Sequence, residues 1–256
     1  MKSKTISPII FLFFLFVSIK ACNIPKELIP AYENLRDAVY QNYSIEEIRN
    51  SFYIVDSLCN KLIKNSQQRA YCIARFEYLI GRAENEQKNW KEAEKHLLNG
   101  IRAIEQHIKK CSCDEAWRVK SALMGQLCLV KIRTMDYVWV IKHGLDVSKL
   151  ANTAIKLQPH NGKAHILIAS TLVYPPIIYG GNPRKGAEVM SKALTMPDIE
   201  KDDQFNIYSG LGIAYGRLQQ RELALAYLEK ALELYPNNKY VLEISKQIVS
   251  GQNVTP

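Results

Sequence analysis

Three stretches of the 256-residue chain hold residue types that could do chemistry. Residues 174–186, YPPIIYGGNPRKG, place a glycine pair ahead of a basic pair. Glycines let a backbone approach an anion closely and a lysine can neutralise it, so a phosphate loop is one candidate. Cys111-Ser112-Cys113-Asp114 is dense in potential ligands. It reads first as a solvated loop with free thiols, with a disulfide or a metal site as alternatives. His160 and His165 stand five residues apart across a turn begun by Pro159, a poor geometry for zinc.

Most of these candidates dissolve on their spacing. A phosphate loop follows a β-strand and puts Gly-Lys-Ser/Thr at the start of a helix. No strand pattern precedes residue 174, and Arg184-Lys185-Gly186 is not that signature. Pro175 and Pro176 can end one helix, Gly180 and Gly181 allow positive φ, Asn182 can cap and Pro183 can open the next helix. The stretch is expected to be a turn. The chain has no His-Glu-x-x-His and no Gly-x-Ser-x-Gly. No catalytic residues, no metal set and no cofactor motif are assigned, and the expectation is a protein that is not an enzyme.

The elements around these stretches are helical. Residues 205–238 read FNIYSGLGIAYGRLQQRELALAYLEKALELYPNN. Tyr208, Leu211, Gly212, Tyr215, Ala224, Leu228, Ala231 and Pro236 occupy the places where two close antiparallel helices need large and small residues and a final stop. Gly212 and Ala224 leave the room that Tyr215 and Leu228 fill. This 34-residue unit resembles a tetratricopeptide repeat. Looser copies precede it. Residues 74–107 match at Gly81, Ala93 and Leu97, with Glu84 and Gly100 departing from the pattern. A third copy starts near Arg118 and carries Gly125, Ala154 and Pro159, with DYVWVIKHG (136–144) inserted between its helices. A fourth starts near Gly162 with 174–186 as its enlarged turn. Upstream, residues 28–42 and 45–65 keep a 3.6-residue apolar period, and Ser44 with Glu47 forms a capping box. The expected fold is all-α, a right-handed tetratricopeptide-type solenoid of about five helix pairs. Residues 22–73 form an N-terminal cap or degenerate repeat, 74–245 the solenoid and 246–256 a flexible tail.

The first residues read as an export signal. Lys2 and Lys4 precede an apolar run, Ile9–Ile19, in which only Ser18 is polar. That run is too short to span a bilayer as a helix. It ends in Ile19-Lys20-Ala21-Cys22, which resembles the lipobox of bacterial lipoproteins, with Lys20 departing from the usual small or apolar residue. The resemblance implies lipid on Cys22 and a place at the cell envelope, on the periplasmic side of the membrane. Ordinary cleaved export and an uncleaved anchor are the alternatives. Loss of residues 1–21 removes three lysines and lowers the net charge from +9 to +6, spread over many helices. Nucleic-acid binding would need a concentrated basic stripe, and none is present in the sequence. Cys59, Cys72 and Cys128 fall on apolar helix faces and read as small hydrophobes.

The paired insertions and the lipobox-like start also resemble exported bacterial tetratricopeptide proteins, among them the T component of TRAP-type transporters. That resemblance implies docking to another exported protein, a substrate-binding protein in the TRAP case. Its alternative is carriage of a small apolar ligand within the helical body. The repeat resemblance puts a binding groove on the first helix of each pair. It gives Arg75, Tyr78, Arg82 and Asn85, then Gln126, then Ser170 and Tyr174, then Asn206, Ile213 and Arg217. The Lys/Asn clamp for C-terminal carboxylates is absent, so acidic peptide tails are not implied. Trp139, in the apolar insertion 136–144, either covers a core or offers a binding surface.

Overall fold

A computed structural model describes residues 22–254, and the export-signal pattern of residues 1–21 lies outside them. The described residues are helical, with no strand among them. Ile29–Tyr40 (α1) and Ile45–Leu62 (α2) form the first pair. The predicted capping box opens α2: the Glu47 N–H donates to Ser44 Oγ and the Ser44 N–H to Glu47 Oε2. Ser66–Glu86 (α3) pairs with Trp90–Ile108 (α4), and Asp114–Arg133 (α5) with Asp146–Leu157 (α7). The short helix Tyr137–His143 (α6) lies between α5 and α7, on the residues read as an insertion. Gly162–Val173 (α8) pairs with Pro183–Ala193 (α9), and Lys201–Arg217 (α10) with Arg221–Leu234 (α11). Lys239–Val249 (α12) closes the C-terminal end. Successive pairs pack on one another, which makes the chain a helical solenoid.

Close approach within the pairs follows the small residues. A Cβ added at Gly212 would come within 2.5 Å of Leu228, and one at Gly81 within 2.8 Å of Leu97. Ala224, Leu228 and Ala231 are fully buried, as the repeat pattern requires.

One turn geometry recurs at the junctions inside the pairs. Asn42, Lys88, Met135 and Gln219 each adopt φ between 54° and 63°. The next residue in each case donates its N–H five residues back: Tyr43 to Ala38, Asn89 to Glu84, Asp136 to Lys131 and Gln220 to Tyr215. Such a left-handed residue satisfies the orphan carbonyls at a helix end. The recurrence gives α1–α2 the same internal turn as three of the later pairs. It also shows that the third copy completes its regular turn before the insertion begins.

The fourth pair is the exception, and there the candidate phosphate loop is a turn. α8 stops at Val173 before the two prolines, and Ile177–Tyr179 form a single 3-10 turn. The Asn182 side chain accepts the Lys185 N–H at 3.1 Å, and Pro183 occupies the first helical turn. The glycines divide the work differently from expectation. Gly180 has φ 90°, whereas Gly181 is required by space, since a Cβ there would lie 2.0 Å from the Pro175 carbonyl oxygen. Arg184 and Lys185 point to solvent.

Two expected boundaries shift. The division at 73/74 falls inside α3, because the helix begins at Ser66, capped by the Asn65 side chain. The tail expected from 246 starts later: α12 runs to Val249, and Val254 is buried, facing Gly216.

Candidate functional site

The expected groove residues lie on the first helices of their pairs, Tyr174 just past the end of α8, and several converge on the inner face. That face is covered by the chain itself. Leu28, Tyr32, Leu35, Arg36, Val39 and Tyr40, in α1 and just before it, are all buried. Arg75 donates to the Tyr32 hydroxyl and to Tyr71, and pairs with Glu115 of α5 at 3.1 Å. The Arg82 guanidinium lies 4.2 Å from the centre of the Tyr40 ring. Asn206 Nδ2 donates to the Tyr40 hydroxyl at 3.0 Å, and Arg82 reaches Asn206 Oδ1 at 3.4 Å.

The end of α1 is held as firmly by the last repeat. Tyr40 stacks on Tyr235, with ring centres 5.1 Å apart, and meets Phe205 edge-on. Tyr235 donates its hydroxyl to Asp37, and the Asn238 side chain donates to the Tyr40 carbonyl at 2.8 Å. The Lys239 N–H donates to Asn42 Oδ1. Thus α1 runs as a strut from the first clear repeat to the last.

A charged network lies alongside the strut. Arg36 of α1 faces Asp202 of α10, with 3.9 Å between them. Lys163 of α8 bonds Glu200 at 2.6 Å and lies 3.5 Å from Asp203. Burial alone would raise the Glu115 carboxyl, but the Arg118 and Arg75 charges prevail and hold it at about 2. Burial and the adjacent Asp202 carboxylate instead push Asp203 up to about 7. Burial also lifts the Tyr32 hydroxyl to about 12, against the pull of Arg75.

The positive charge of Arg82 acts on the Tyr174 and Tyr240 hydroxyls. Burial raises the Tyr174 hydroxyl. The remaining groove candidates separate from this group. Ile213 is fully buried and belongs to the core. Arg217 donates to the carbonyls of Val173 and Pro175, fastening the end of α8 and the enlarged turn. Ser170 bonds its own helix at Ile166 O. Gln126 is half-buried on α5, and Asn85 has a buried Oδ1 with no hydrogen-bond partner.

Cys22 is placed where the repeat pattern gave no hint. Its sulfur is bonded to Cys113, at the N-terminus of α5. One sulfur cannot carry both a disulfide and the thioether of a lipid anchor, so the two are alternatives for Cys22. Cys59, Cys72 and Cys128 are buried among apolar residues, as expected.

Exposed apolar surface is concentrated at the two insertions. Met135, Val138, Ile141 and Leu145 around α6 are 70–83% exposed, as are Ile177, Ile178 and Tyr179 in the turn after α8. No other large apolar side chain among the described residues reaches 70%. Both insertions join the two helices of neighbouring pairs, and stacked pairs align such turns along one edge. Trp139 faces the other way, packing on the core and lying 4.7 Å from the His143 ring. Two depressions, of about 550 and 310 Å³, are open to solvent and lie elsewhere, one between α11 and α12 and the other beside α9 and α10.

Residues 205–238 match the tetratricopeptide repeat family. No curated protein matches the chain significantly. Among solved structures, the chain is similar to YrrB, described as a TPR protein with an unusual peptide-binding site, at 15% identity and a TM-score of 0.36. That match covers 80% of this chain and 97% of YrrB. The matched segment runs from within α10 through α11 and the turn after it, so the chain carries a tetratricopeptide repeat at 205–238 within a helical solenoid of that kind.

Proposed function

We propose that the chain is a non-enzymatic protein-interaction module that works outside the cytoplasm, at the cell envelope, and engages another exported protein through its insertion edge. The observation that carries this reading is the exposure of the apolar side chains at 135–145 and 177–179. Exposed apolar side chains gathered in this way mark interaction sites. The inner groove is less available, because α1 already fills it with Tyr32 and Tyr40. The groove end at Tyr78, Arg82 and Tyr174 remains a secondary contact region.

Export rests on the pattern of residues 1–21, the lysines followed by the apolar run. The lipobox-like Ala21-Cys22 also supports a lipid anchor, which would require Cys22 to leave its bond with Cys113. Carriage of a small apolar ligand would need an enclosed apolar space. The filled inner face and the open depressions favour the adaptor instead.

A photo-crosslinking residue placed at Ile141 or Ile178 in cells tests the reading. Discrete adducts with another envelope protein are expected from both positions, and none from His160 on the opposite edge. Adducts arising from Tyr78 or Arg82 but from neither insertion would return the function to the groove.

A further inference from the structure

Four donor side chains from three separate stretches meet at the start of α1's leading segment. Cys22 Sγ lies 3.3 Å from His107 Nε2 and 3.8 Å from Cys111 Sγ, and it is bonded to Cys113 Sγ. The four donor atoms all lie within 4.8 Å of one another. His107 has no exposed surface, and its Nδ1 is 2.9 Å from the Gln67 carbonyl oxygen. A carbonyl only accepts, so Nδ1 carries the proton and Nε2 turns its lone pair toward the sulfurs. A histidine that ligates a metal is held in this way.

Three thiols and one imidazole make a donor set for structural zinc. With Zn–S of about 2.3 Å and Zn–N of about 2.0–2.1 Å, tetrahedral donors stand roughly 3.5–3.8 Å apart. The Cys22–Cys111 and Cys22–His107 spacings are close to that range. The Cα atoms of Cys22 and Cys113 are 7.2 Å apart, wider than the ~4.4–6.8 Å usual for a disulfide and compatible with two ligands of one ion. Cys113 is also the N-cap of α5, where the Ala116 N–H points at its sulfur. A helix N-terminus favours the negative thiolate.

We infer that Cys22, His107, Cys111 and Cys113 form a Cys3His site for a thiophilic divalent cation, Zn2+ foremost, in the reduced chain. A dithiol reductant supplies two electrons and two protons to the Cys22–Cys113 bond and leaves as its own cyclic disulfide. Zn2+ then takes the three sulfurs and His107 Nε2, and the three thiol protons pass to solvent. The metal keeps its oxidation state. The ion and the disulfide thus alternate as staples that hold the segment before α1 against the α4–α5 corner.

The test uses the full chain, reduced, freed of metal and titrated with Co2+ under argon. One equivalent is expected to give thiolate-to-cobalt charge-transfer absorption and the intense visible bands of tetrahedral Co2+, both removed by Zn2+. Cys111→Ser, outside the disulfide, should abolish the one-equivalent binding while the oxidised variant keeps its thermal melt. His107→Gln should bind Co2+ with altered visible bands or not at all. The inference is overturned if reduced wild type shows no charge-transfer band, or if Cys111→Ser titrates as wild type does. A diacylglyceryl thioether on Cys22, found by intact mass of the protein from cells, would overturn it as well.

Discussion

Arg82 covers the ring of Tyr40, its guanidinium carbon 4.2 Å from the ring centre, while Tyr40 stacks on Tyr235. One tyrosine of the degenerate first pair therefore joins a repeat 42 residues downstream to another almost 200 residues away. Tyr40→Ala should cost about 3–5 kcal/mol in urea unfolding, the usual loss for a buried aromatic. Tyr40→Phe removes only the Asn206 bond and should cost about 1 kcal/mol. Equal losses for the two variants would show that the hydroxyl, and not the ring, holds the strut.

The enlarged turn separates space from charge. Gly181→Ala drives a Cβ into the Pro175 carbonyl and should destabilise by about 1–3 kcal/mol. Replacing both Arg184 and Lys185 by Ala should leave the melt and partner binding unchanged, since exposed charges at a helix start contribute little. Thermal melts of the two proteins check this directly.

The insertion edge should bind without stabilising. Ile141→Asp together with Ile178→Asp should reduce partner affinity at least tenfold, because a charge would be pressed into an apolar interface. Both side chains are more than four-fifths exposed, so the melting temperature should move little. A calorimetric titration with the crosslinked partner, beside a melt, reads both quantities.

Asp203 gives a pH signature of fixed sign. Its folded pKa, about 7, exceeds the ordinary 3.8, so the native state holds a proton that the unfolded chain has released. Its contribution is fully present below about pH 4 and is lost as pH rises through 7. Lys163, Glu200, Asp202 and Arg118 surround it and move the midpoint without reversing the sign. His107, whose pKa is lowered, acts oppositely, so the comparison is with Asp203→Asn and not with a flat baseline. The stability advantage of Asp203→Asn over wild type should grow by roughly 1–3 kcal/mol between pH 5 and pH 7.5. A constant difference across that range would remove the buried proton.

The repeat register was legible because its marks are local. Gly212, Ala224 and Leu228 sit within 17 residues and meet in one helix pair. The Ser44–Glu47 box was legible for the same reason. The filling of the groove was not. The 3.6-residue period of residues 29–40 announces a helix but not its neighbour, and α1 buries most of its circumference against elements up to 198 residues away. The groove rule consequently placed Ile213 on an open face when it lies in the core. The cluster at Cys22 was hidden by distance too, with 85 residues to His107 and 91 to Cys113. His107 carries no sequence mark beyond its place near the end of an amphipathic helix.

The strut changes the mechanics of the molecule. An open solenoid behaves as a spring whose coils extend, and whose ends fray one repeat at a time, because each unit touches only its neighbours. Here the first coil is buttoned to the last through Tyr40, Asp37 and Asn238. Stretching or fraying either end must first break that fastening. Pulled from its termini in a force experiment, the chain should resist as one loop until α1 gives way, and only then pay out repeat by repeat.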